Sequence, residues 1–315
     1  MNKDYYNNKT FWNFFTGSVA GIGDVVSTHP IWNIKTLIQT GHNFNDISKM
    51  VVKNPSLLYN GVITNISTTL PITTVRVGFS YVFEEIANSY LPNNNNQYIN
   101  FFSSFSAGSI SSFLSSPIEL IRTTKLRNEI YKIKDISTNL HNGANAYNIT
   151  KSMIMEGGIT SIFKGVQTVS IRDGLYTAGF ITGARYLKSL FSDCTEYPVV
   201  NNTSAYITAG FLTSLINHPF DTIKTNQHLL CADSFLLNSP VKSSFLAVCK
   251  KIVVEKGCYG FYAGFPMRLL DYCITFIVKA SIIEGMENHY NSYFANNDEL
   301  KKDLLGNHPN DDDSF

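Results

Sequence analysis

The chain of 315 residues contains no run of 18 consecutive apolar residues, the usual mark of a lipid-spanning helix. Its mean hydropathy is only −0.03. That does not exclude a membrane protein, because polar residues within a span are tolerated where they face a bundle interior or a water-filled cavity. Surplus charge is also lacking. With 25 Lys and Arg against 24 Asp and Glu, the formal net charge is +1, and no basic stripe stands out, which argues against a dedicated nucleic-acid binder. The five cysteines form no CxxC pair and show no zinc spacing, so they read as small packing residues. The N-terminal stretch Met1–Lys9 carries an acid and has neither an apolar core nor an Arg-rich amphipathic helix, so any organellar targeting signal is expected to be internal. No nucleotide-binding glycine loop, HExxH or Gly-x-Ser-x-Gly occurs, and Gly21-Ile-Gly23 lacks a third glycine and follows no strand. Neither an enzyme nor a cofactor nor a metal site is expected.

What is present is a sentence said three times. Residues 117–165 begin Pro117-Ile-Glu119-Leu-Ile-Arg122 and close with Glu156-Gly157, then Phe163-Lys164-Gly165. Residues 219–264 read Pro219-Phe-Asp221-Thr-Ile-Lys224, then Glu255-Lys-Gly257, then Phe261-Tyr-Ala-Gly264. The first copy is degenerate: Pro30-Ile-Trp32-Asn-Ile-Lys35, then Tyr59-Asn-Gly61. The prolines lie 87 and 102 residues apart (117−30 and 219−117), and the glycines 104 and 99 (165−61 and 264−165). A fixed period of this kind gives the architecture before any element is assigned. Small residues precede each proline, Thr16-Gly17-Ser18-Val-Ala20-Gly21, Ser106-Ala-Gly108 and Thr208-Ala-Gly210, which permits close helix approach in a membrane or in an ordinary helical bundle. Each proline removes one ladder hydrogen bond and is expected to kink or break its helix.

The three copies resemble the signature Pro-x-acid-x-x-base … acid-Gly … aromatic-base-Gly of the mitochondrial carrier family, over roughly residues 11–292. The resemblance implies an all-α membrane protein, with six transmembrane helices in three tandem repeats about a pseudo-threefold axis and short amphipathic helices on the matrix side. The implied units are 1–97, 98–195 and 196–293, followed by a polar, acidic and disordered tail at 294–315. The implied activity is alternating-access transport of a small metabolite across the mitochondrial inner membrane, by a monomer, with the lipid bilayer as a partner and cardiolipin a candidate at the matrix side.

Spans are expected at about 11–39, 62–90, 101–127, 166–191, 203–230 and 265–292. Between them, residues 243–256 place Phe245, Val248, Cys249, Ile252 and Val253 on one helical face. Residues 147–156 are similar but weaker, and the first copy, with only 31 residues from Pro30 to Gly61 (61−30), is expected to have a truncated surface helix.

The repeated acid and base form a ring of charge at one end of a cavity. By resemblance, Glu119 pairs with Lys224 and Asp221 with Lys35, with Gln39 bracing from beneath. The third partner of Arg122 falls at Trp32, so that pair is missing, and an aromatic contact to Arg122 is expected instead. At the other end Tyr81 and Glu84, Arg185 and Lys188, and Glu284 and Glu287, the last two one residue out of step, keep the family's pattern poorly, and no network is expected there. Ionisable residues inside a span are costly to bury and mark function. The substrate candidates are Arg76, Arg172, Asp173 and Asp271. Seven residues past the repeat glycines stand Thr68, Arg172 and Asp271, the heights of the family's substrate contacts. Two Arg and two Asp favour a solute carrying both charges, an amino acid-like zwitterion or a carboxylate: Arg clamps a carboxylate bidentately while Asp attracts an amine. Mutual satisfaction of Arg172 with Asp173, or of Arg268 with Asp271, is the plain structural alternative. The rival functions are a carrier-shaped membrane scaffold without transport and a soluble helical-repeat scaffold.

Overall fold

A long helix, a short helix, a single 3₁₀ turn and a second long helix follow one another three times. The computed structural model describes residues 3–39, 44–59, 62–90, 96–133, 145–238 and 243–306. The first round runs α1 (Lys3–Gln39), α2 (Phe44–Lys53), a turn at Pro55–Tyr59 and α3 (Val62–Tyr90). The second runs α4 (Asn96–Ile133), α5 (Ala146–Gly157), a turn at Ile159–Phe163 and then α6 (Val166–Ala178), which passes through a π turn at Gly179–Gly183 into α7 (Ala184–Phe191). The third runs α8 (Pro198–Leu236), α9 (Phe245–Lys256), a turn at Cys258–Tyr262 and α10 (Phe265–Gly306). No strand occurs among the described residues.

The packing follows from where the glycines fall. Gly21, Gly108 and Gly210 each stand nine residues before a repeat proline (30−21, 117−108, 219−210). A β-carbon on Gly108 would lie 2.3 Å from the carbonyl oxygen of Asp173 on α6; one on Gly21 would lie 2.1 Å from Thr73 Oγ1 on α3, and one on Gly210 3.1 Å from Cys273 Cα on α10. Small residues thus set the contact of the first with the second long helix in all three rounds. The even helices start on glycines in the left-handed region, Gly165 at φ 87° and Gly264 at φ 83°, a backbone state glycine adopts without the steric cost of a β-carbon. The first-round counterpart, Gly61, lies outside the described residues.

The helices do not break at Pro30, Pro117 or Pro219, each of which lies inside its helix. Among the described residues α1 continues nine residues past its proline (39−30), α4 sixteen (133−117) and α8 seventeen (236−219). α2 has 10 described residues against 12 in α5 and α9. α9 buries Val248 and Ile252 and packs Phe245 and Cys249 beside them; Val253, expected on that face, is exposed. α10 continues over 294–306, part of the tail expected to be disordered. Glu299, Leu300, Lys301, Lys302, Leu304 and Leu305 are good helix formers.

Among the described residues no helix is long and apolar enough to cross a membrane by hydropathy. The distribution of side chains explains that value. Ser104, Ser111, Ser112, Ser115 and Ser116 of α4 are buried, as are Asn217 and His218 of α8. Exposed on the same helices are Phe102, Ile110, Phe113 and Leu114, and Ile207, Phe211, Leu212, Leu215 and Ile216. On α1, Phe11, Phe15, Ile22 and Val26 line one exposed stripe. Polar inside and apolar outside is the reverse of a water-soluble bundle, and averaging the two faces cancels the hydropathy.

Candidate functional site

Between the helices lies a cavity of about 270 Å³. All four substrate candidates, Arg76, Arg172, Asp173 and Asp271, line it, together with Glu119 and Arg122. α6 brings Arg172 and Asp173 in side by side. The Arg172 guanidinium touches three carboxylates: Nη2 lies 2.6 Å from Asp173 Oδ1 and 3.0 Å from Glu119 Oε1, and Nη1 lies 3.4 Å from Asp221 Oδ1. Asp173 also meets Arg76 at 3.2 Å and accepts a 2.6 Å hydrogen bond from Ser115. Arg76 donates through Nε to Ser111. Asp271 is half-exposed and meets Arg268 at 3.3 Å. The mutual pairings read as the plain alternative are both made, and Arg172 extends beyond its pair to two acids of the ring.

At the ring, Lys224 Nζ lies 2.7 Å from Glu119 Oε2, joining α4 to α8. Asp221 is held by Arg172 and by Arg268, whose Nε lies 2.8 Å from Asp221 Oδ2. The side chains of Lys35, Gln39 and Trp32 lie outside the described ones. Arg122, with no acid at position 32, reaches α3, donating to Asn65 Oδ1 at 3.3 Å and Thr68 Oγ1 at 3.4 Å. Further along the same ends, Arg127 makes a bidentate contact with Asp233 at 2.7 and 3.0 Å, and the Tyr131 hydroxyl donates to the same carboxylate at 2.6 Å.

Sequence reading missed Asp24. It is buried on α1, 2.7 Å from Lys279 Nζ of α10, and accepts from Thr275 at 2.9 Å. Lys279 also donates to the Tyr176 hydroxyl, and the Tyr176 ring carries Arg76 at 5.2 Å and Lys279 at 5.6 Å. The available signal was an acid within an apolar span; counting from the repeat marks passed over it, because the other copies have no acid there. With Asp24, Lys279 and Arg268 added, the cavity wall holds five cationic residues (Arg76, Arg122, Arg172, Arg268, Lys279) and four carboxylates (Asp24, Glu119, Asp173, Asp271).

The opposite end carries a network, contrary to expectation. Arg185 of α7 pairs with Glu84 of α3 at 3.0 Å, lies 3.9 Å from Glu287 of α10 and sits over the Tyr81 ring at 4.9 Å. Lys188 pairs with Glu284, which accepts from Tyr206 at 2.5 Å, and Tyr81 donates to Glu287. All six positions stand 20 or 23 residues past their repeat glycine (81−61, 185−165, 284−264; 84−61, 188−165, 287−264), so the sixth helix is in step. What differs from the family's pattern is which helix supplies the acid and which the base.

A six-helix arrangement in three rounds, polar within and apolar without, with a charged cavity between two ionic networks, defines a membrane solute carrier. Residues 93–194 and 195–294 match the family profile described as mitochondrial carrier protein. The chain belongs to the mitochondrial carrier family, whose members are multi-pass proteins of the mitochondrial inner membrane and transporters of small metabolites, not enzymes. Among its relatives is the mitochondrial glutathione transporter of Danio rerio, 28% identical over 184 residues. That match covers 56% of this chain and only 49% of the relative, so the chain spans about half the length of that protein. Mitochondrial 2-oxodicarboxylate carrier 1 of Saccharomyces cerevisiae is 23% identical, over 82% of this chain and 87% of its own. The mitochondrial carnitine carrier of the same yeast is 26% identical, over 87% and 85%.

Proposed function

We propose that this protein is an alternating-access carrier for a small solute bearing a carboxylate, most favourably one that also bears a cationic nitrogen. The observation that carries the reading is the position of Arg172, whose guanidinium binds a cavity acid and two ring acids at once. A solute carboxylate arriving in the cavity competes for that guanidinium. Winning it takes Arg172 from Glu119 and Asp221 and weakens the closure on that side, so binding and opening are one event. Asp173 or Asp271 then faces the solute's amine. The relatives support the chemistry: glutathione, 2-oxodicarboxylates and carnitine all carry a carboxylate, and two of them a cationic nitrogen as well. A nucleotide would want a larger excess of cations than five against four. In this reading the units are 1–97, 98–195 and 196–293, the ring includes Lys35 with Gln39 beneath, and the monomer sits in a bilayer with cardiolipin at its matrix side.

The test is a thermostability screen of the purified protein against amino acids, carboxylates and nucleotides, since a ligand that prefers the folded state raises the melting temperature by mass action. A shift from the zwitterion or carboxylate class that disappears in Arg172→Ala and Asp173→Ala supports the reading. A shift from nucleotides alone overturns the solute class. A well-folded protein that responds to nothing is a carrier-shaped scaffold.

A further inference from the structure

We propose that this carrier holds a second solute station on its matrix side, divided from the central cavity by one shared guanidinium, that of Arg268. A second cavity, of about 410 Å³, lies among α8, α9, the turn at Cys258–Tyr262 and the start of α10, within the size range of small-molecule sites. Arg268 lines both chambers, whereas Asp271 lines only the central one and Asp221 only the matrix-side one. The guanidinium is thus held between one acid of each chamber, Nε 2.8 Å from Asp221 and Nη1 3.3 Å from Asp271. Around the matrix-side chamber stand Lys256 and Glu255 of α9, with Thr225 and Asn226 of α8, so it repeats the mixed charge of the first. A carboxylate in the central cavity takes Arg268 from Asp271; the same carboxylate in the outer chamber takes it from Asp221, with Lys256 as second cation and Glu255 as partner for an amine. Because Arg carries its donors in a fork, it can exchange one carboxylate for another without losing every bond at once.

This inference rests on the transporter reading above and is tested so that the two fail separately. Calorimetric titration of the purified full-length protein is carried out with glutathione, 2-oxoglutarate, carnitine and the common amino acids. Two variants fill the outer chamber from different helices, Met267→Trp and Thr225→Phe, so that misfolding of one leaves the other; Met267 and Thr225 line that chamber and not the central one. The expected result is two sites for the best-binding solute in the wild type, one site in each filled variant, and weakening of both in Arg268→Gln. A single site in the wild type, or two that persist in both filled variants, overturns the second station while leaving the carrier reading intact. No binding by any of these solutes overturns both.

Discussion

Arg172 and the Asp24–Lys279 pair show how differently two buried charges can be used. Arg172 is shared among three acids. Lys279 and Asp24 are each mostly matched to the other, on α10 and α1, deep in the bundle. Removing one member of such a pair strands the other's charge, at a cost of about 3–5 kcal/mol, whereas removing both is far milder. Lys279→Met is therefore expected to lower the melting temperature sharply, and Asp24→Asn/Lys279→Met to recover much of it; equal melting of single and double variants would sink the assignment. Arg76, Arg172, Asp173 and Asp271 were legible in the sequence because a charge inside a span is conspicuous once the spans are counted. Asp24 was not. It stands six residues before its proline, where the other copies have Ser111 and Thr213 (30−24, 117−111, 219−213), and a search for what repeats is blind to what occurs once.

Helices here meet through missing side chains. Gly108 lies against the α6 backbone at Asp173, and backbone cannot swing aside as a rotamer can. Gly108→Ala is expected to push α4 off α6 and lower the melting temperature, while Gly285→Ala, with nothing within 4 Å of the new methyl, leaves it unchanged or slightly raised, as expected where alanine replaces glycine in a helix. If both variants melt alike, the close approach is not structural. At the ends of α4 and α8 the Arg127–Asp233 contact is charge-assisted, bidentate and partly buried, a geometry worth about 1.5–3 kcal/mol. Arg127→Ala should show a loss of that size in thermal or denaturant unfolding, and Tyr131→Phe a smaller one. The element order was readable from the repeats, since prolines and glycines mark helix interiors and starts. The opposite closure was not: its acids and bases are dealt to the helices in a different order from the family's, and pairing across helices is set by tertiary geometry that spacing alone does not carry.

Taken whole, the molecule has ionic networks at both ends of its central cavity, the two closures of the proposed carrier. Alternating access requires that each weaken independently. In a background with Cys194 and Cys258 replaced by Ser, Thr275→Cys places a thiol on the cavity wall. Adding Arg185→Ala is expected to speed its modification by a membrane-impermeant thiol reagent applied from the intermembrane-space side of a proteoliposome. Adding Lys224→Ala is expected to do so from the matrix side. Acceleration from the same side by both substitutions would contradict the placement of the two closures.

The three rounds are not joined alike at the ends that follow the prolines. α4 and α8 run sixteen and seventeen residues past their prolines and clasp one another through Arg127, Tyr131 and Asp233. α1 is described for nine residues past its own. Among the described residues that clasp joins the second round to the third and has no counterpart reaching the first, so a bundle built from three nearly equal parts is fastened unequally.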